Sequence, residues 1–186
     1  MPLEPPTRTP SEADIVQNSA GSAGDVEVIL RENGWLAGTT PPEIAGWIAD
    51  AAALLGPHAT DRTSLVALLK LIFEYDAAAI LRSSEAHSLL ARAGARKVIR
   101  ELANQVLEGG AVDSDRFKGL IEALKSRVPW RSRDLFHPIR LALAGRAGEG
   151  ELDRVILLCD AAAQLPFAVP VKSVRQRLLE FCAALD

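Results

Sequence analysis

The sequence predicts an all-α protein, a helical bundle or a stack of short helices. Three observations point there. Alanine and leucine dominate a chain that is 48% hydrophobic but only 5% aromatic, a composition that favours helix over sheet. Apolar residues recur at intervals of three and four along most of the chain. No strand signal of comparable strength is present, so the helices must cover one another.

The elements follow in order. A short helix or turn is predicted at 25–34. Thr40-Pro41-Pro42-Glu43 reads as a helix start, with Thr40 as cap, Glu43 as its capping-box partner, and a stop at Gly56-Pro57. Asp61 offers the cap for a helix whose apolar face is Leu65, Leu68, Leu69 and Ile72. Residues 76–82 and 85–93 read as helices separated or bent near Ser83-Ser84. Residues 95–107 place Val98, Leu102 and Val106 four apart, with Arg96, Lys97, Arg100 and Glu101 mostly off that stripe. Gly109-Gly110 ends this segment. Asp113 caps the next, in which Phe117, Leu120, Ile121, Leu124 and Val128 form a band that Pro129 closes. Further helices are expected at about 133–144, 151–163 and 172–184, the last lined by Val174, Leu178, Phe181 and Leu185.

A chain of 186 residues can form one ample domain or two small ones sharing a core. Residues 1–24 mix prolines, serines, glycines and acids, and read as a disordered lead-in. Residues 25–109 form the expected amino-terminal helical subdomain and 110–186 the carboxy-terminal one, with a soft boundary at Gly109-Gly110. No internal repeat stands out.

The net charge of -3 argues against indiscriminate nucleic-acid binding. The charge is uneven, however. Residues 82–146 hold 13 Lys/Arg against 7 Asp/Glu, and the remainder holds 8 against 17. Such polarity steers an acidic partner to one region, or belongs to a solvated surface without one. Cys159 and Cys182 lie in apolar helical contexts without ligand-like spacing and read as small hydrophobes in a reducing cytosol. The start lacks a basic-then-apolar leader, and apolar patches break well before the roughly 20 residues of a membrane span. A soluble cytoplasmic protein with no membrane partner is expected.

Catalytic chemistry is not legible. His58, His87 and His137 are far apart in sequence, and no zinc-ligand or phosphate-loop motif occurs. Gly145 reads as the left-handed residue ending a helix, and the carboxylates at 149, 151 and 153 suit the amino-terminal end of the next. No enzyme, cofactor or metal is therefore expected. The candidate functional residues are basic: Arg96, Arg100, Lys118, Arg127, Arg131 and Arg133, with Trp130 between two of them. Trp130 either stacks a splayed base while arginines hold phosphate, or anchors a loop in the core. Arg140 lies in an apolar helix, where its guanidinium is expected to tie a helix end or an acidic side chain.

The stretch from Phe136 to Leu152 resembles the carboxy-terminal, anticodon-binding part of bacterial glutamyl-tRNA synthetases. Phe136, Pro138, Arg140, Ala142, Leu143 and Gly145 fit that family's Phe-x-Pro-Leu-Arg-x-Ala-Leu-x-Gly element, and Ile139 replaces its leucine. Basic residues precede the phenylalanine in the family, as Arg131 and Arg133 do here. The resemblance extends over 70–186 and implies the anticodon-binding fold of class I aminoacyl-tRNA synthetases. The family's catalytic domain, with its HIGH-like and KMSKS-like motifs, is absent from the sequence. A non-catalytic module that binds tRNA is the leading expectation, with any aminoacyl transfer left to a separate synthetase. Phe136, Pro138, Arg140 and Gly145 are expected to be structural. The alternative is a protein-interaction or regulatory domain that keeps the scaffold without RNA binding. That reading expects an exposed apolar patch or a homodimer.

Overall fold

The first helix opens at a capping box. In the computed structural model, which describes residues 21–185, the Ser22 side chain accepts from the Asp25 amide while the Asp25 carboxylate accepts from Ser22. Helix α1, Ala23–Glu32, thus begins within the stretch expected as a lead-in, whose residues 1–20 lie outside the described residues. Helix α2 spans Pro42–Leu55 and passes into a 3₁₀ turn at Gly56–His58. Its start corrects one expectation. Pro41, not Thr40, stands at the cap and makes no side-chain cap bond. The Thr40 hydroxyl instead donates to Glu27 at 2.6 Å and accepts from Arg31 at 2.7 Å. Tertiary partners on α1 have taken the group that would have capped α2.

Asp61 caps α3, Arg62–Phe73, through a reciprocal box with Ser64. Asp76 and Ser83 cap the short helices α4, Ala77–Leu81, and α5, Ser84–Leu90. Helix α6 spans Ala95–Leu107 and α7 spans Ser114–Arg127, the latter capped by Asp113 as expected. The last three are α8, Ser132–Ala144, α9, Glu151–Ala163, and α10, Val174–Leu185. No strand forms among the described residues.

Helices α8, α9 and α10 make the middle of the molecule. Helices α2 and α3 pack on α9, with α1 against α2, while α6 packs on both α8 and α10 and carries α7 on a further side. One apolar core runs through the described chain from Val26 to Phe181. At the α2–α9 side it is aromatic: Trp35 stacks on Phe73 with centroids 4.7 Å apart, and Trp47 and Phe167 meet Phe73 edge-on. The Trp47 indole N–H donates to the Leu158 carbonyl at 3.2 Å, which satisfies its polar edge inside the core.

The second half of helix α8 is enclosed. Every residue from Pro138 to Ala144 is buried. Pro138 lies in the interior of the helix, where its missing N–H leaves the Asp134 carbonyl without its usual amide donor.

Candidate nucleic-acid interface

Within the Phe136–Gly145 element, Arg140 makes a clamp. Arg140 is buried, and its Nε and Nη2 donate to the two carboxylate oxygens of Asp153, each at 2.8 Å. Nη1 donates to the Gly148 carbonyl at 2.6 Å. One guanidinium thereby fixes α8, the 145–150 loop and the first turn of α9, with a bidentate geometry that lysine cannot supply. The Phe136 ring lies 5.1 Å from the same guanidinium. Gly145 ends α8 at φ 90°, and its amide returns to the Arg140 and Leu141 carbonyls. A side chain there would also press on Ile80 at 3.1 Å. Arg140 therefore ties an acidic side chain, as its apolar setting suggested.

The basic residues divide into two groups. Arg96, Arg100 and Trp130 line one open depression of about 480 Å³, together with Gly94, Lys97, Glu101 and Asn104. Helix α6 brings most of them together. Its apolar stripe of Val98, Ile99, Leu102 and Val106 faces the core, so positions 96, 97, 100, 101 and 104 share the outer side. The depression begins at the helix amino terminus, where Gly94 is the cap and contributes no side-chain bond. Gly94 is required on two grounds. Its φ is 92°, and a β-carbon would fall about 2.0 Å from the Trp130 ring. Trp130 is half-buried against this backbone, and the Lys97 ammonium stands 6.0 Å from the ring centroid. The tryptophan packs against the core and forms a wall of the depression.

Arg127 adjoins the depression through Glu101, donating from Nη1 to the Glu101 carboxylate at 2.6 Å. This bond, more than the surrounding charge, holds the Glu101 carboxyl below its usual range and raises Arg127. Arg96 donates to the Leu185 carbonyl at 3.2 Å, linking the rim to the end of α10. The remaining candidates lie outside the depression. Lys118 approaches Asp115 at 3.5 Å on the exposed side of α7. Arg131 turns its guanidinium back onto the Lys125, Val128 and Trp130 carbonyls at 2.6–2.7 Å. Arg133 is exposed and lies 3.6 Å from Glu149.

One influential arginine went unmarked in the sequence. Arg177 is fully buried, and its donors reach the Leu71, Ile72, Leu143 and Lys172 carbonyls at 2.7–3.0 Å. Its guanidinium also stacks 4.6 Å from the Tyr75 ring. The charge is stabilised by carbonyl dipoles near the carboxy-terminal ends of α3 and α8, where the helix dipoles are negative. Nearby, the Asp160 carboxylate accepts from the Val112 and Val174 amides at 2.5 and 2.6 Å. These groups join the α6–α7 connection to α9 and α10.

The described residues contain no group of three or more His, Cys, Asp or Glu side chains placed to hold a metal. Burial raises the Cys159 thiol, which disfavours a thiolate nucleophile there. No described helix is long and apolar enough to cross a membrane.

Comparison with known proteins gives a distant relationship. The chain is 28% identical over 118 residues to glutamate–tRNA ligase 2 of Syntrophus aciditrophicus (strain SB), a match covering 60% of this chain and 22% of the ligase. The chain thus aligns with only a small part of that enzyme. No family model matches, and no solved structure matches.

Proposed function

We propose that this protein is a non-catalytic RNA-binding module that recognises tRNA through the depression on α6. The observation that carries this reading is the convergence of Arg96, Lys97 and Arg100 beside Trp130 at an uncapped helix start. Amides at such a helix end and neighbouring cations both favour a phosphate, while an aromatic wall suits an unpaired base. Partial similarity to a tRNA ligase gives the same direction. Arg127 contributes at the rim through Glu101, and Lys118 and Arg133 lie outside the proposed contact. Aminoacylation would belong to a separate cytoplasmic synthetase.

The interaction-domain alternative has less in its favour. Among the described residues, the exposed large apolar side chains are Val28 on α1 and Leu179 on α10. Two single side chains on different helices make a poor apolar docking patch.

The test is titration of total tRNA against the full chain at several salt concentrations. Binding on the order of micromolar at low salt, weakening steeply as salt rises, is expected. Arg96→Ala with Arg100→Ala is expected to lower affinity about tenfold or more and to flatten the salt slope by about one for each phosphate no longer neutralised. Lys118→Ala is expected to have little effect. Absence of binding at low salt, or equal affinity of the double variant, would overturn the proposal.

A further inference from the structure

Glu101 is out of place in a surface built only for phosphate. It is the acidic side chain among the residues lining the basic depression, and its side chain is only 22% exposed. Its carboxylate repels a polyanion at the same place where Arg96, Lys97 and Arg100 attract one. It is nevertheless fixed there: Arg127, reaching from α7, donates to Oε1 at 2.6 Å and keeps the group ionised at neutral pH. Asn104 follows three residues later on the same side of α6, and Trp130 lines the same depression.

An ionised carboxylate only accepts hydrogen bonds, and it presents two oxygens side by side. Unpaired bases are read along their Watson–Crick edges. Guanine is the base whose edge offers two adjacent donors, the N1 imino and N2 amino groups. Adenine and cytosine place one amino donor next to a ring acceptor, and uracil places one imino donor between two carbonyls. Each of these three sets an acceptor lone pair against a carboxylate oxygen. The depression, at about 480 Å³, is sized for a small ligand rather than for a duplex.

Resting on the RNA-binding reading above, we infer that the α6 depression receives one unpaired nucleotide and that Glu101, oriented by Arg127, selects guanine. The flanking phosphate lies against Arg96 and Arg100, and the base enters beside Trp130. Repulsion between Glu101 and phosphate is then offset only when the base supplies both donors. The carboxylate thereby converts a general anion site into a selective one.

The test uses short, dye-labelled uridine oligomers bearing guanosine, adenosine or cytidine at the central position, together with the all-uridine oligomer. Affinities are measured by fluorescence anisotropy at low salt for the full chain and for Glu101→Gln, with thermal melting as a check that the variant folds. The wild type is expected to favour the guanosine oligomer by about tenfold. Glu101→Gln is expected to lose that preference while binding the other three as well as or better than the wild type, because a negative charge is gone. Equal wild-type affinity for all four oligomers overturns the guanine inference and leaves the RNA-binding reading standing. A uniform gain in Glu101→Gln with the base ratios unchanged also overturns it, since Glu101 would then be only an ion-pair partner of Arg127. Failure of all four oligomers and of tRNA to bind overturns both.

Discussion

Single arginines do three different jobs here, and their surroundings decide which. Arg96 and Arg100 line the α6 depression, Arg140 clamps Asp153, and Arg177 is sealed inside with four backbone carbonyls. The role of Arg140 was legible because a charged residue in an apolar helix must find a partner. Arg177 was not legible, because its partners at 71, 72 and 143 are remote in sequence and are carbonyls that every residue possesses. Its removal leaves several buried acceptors without donors. Arg177→Met is therefore expected to destabilise the fold by about 3–5 kcal/mol in urea denaturation, even though methionine fills much of the space. A loss below about 1 kcal/mol would mean that water or a relaxed backbone takes over those carbonyls.

At the level of helices, local chemistry fixed most boundaries. Asp61 and Asp113 cap as their positions suggested, and Gly145 takes the left-handed conformation that ends α8. Thr40 failed as a cap because Glu27 and Arg31, distant by 13 and 9 residues, engage its hydroxyl. The same competition separates Arg131 from the other basic residues. Its guanidinium takes carbonyls at the end of α7 and in the turn that leads into α8, just before Ser132 at φ 49°. Arg131→Ala is expected to cost about 1 kcal/mol of stability, read from a urea midpoint, and to leave tRNA affinity unchanged. Weaker tRNA binding at unchanged stability would instead place Arg131 in the contact.

Across the molecule, part of the basic excess seen in the sequence, Arg96, Lys97 and Arg100, shares one face of α6, while Lys118, Arg131, Arg133 and Arg140 lie elsewhere. The sequence identified Arg96, Arg100 and Trp130 as candidates. It did not show that the turn at Gly94 and the packing of α6 on α8 and α10 gather them while leaving Lys118 and Arg133 outside. Glu101 drew no notice as a functional residue because its meaning depends on Arg127, 26 positions away. The Phe136–Gly145 element, conspicuous in sequence, lies in the enclosed middle and holds α8 to α9. It supports the fold on which the candidate surface is displayed, and the two are separate features. Amide hydrogen exchange of the full chain, with and without saturating tRNA, distinguishes that surface from every other. Slowed exchange is expected across residues 94–104 and around Trp130, with α1–α3 unchanged. Protection confined to α1–α3, or no protection at saturating tRNA, would contradict an RNA contact on α6.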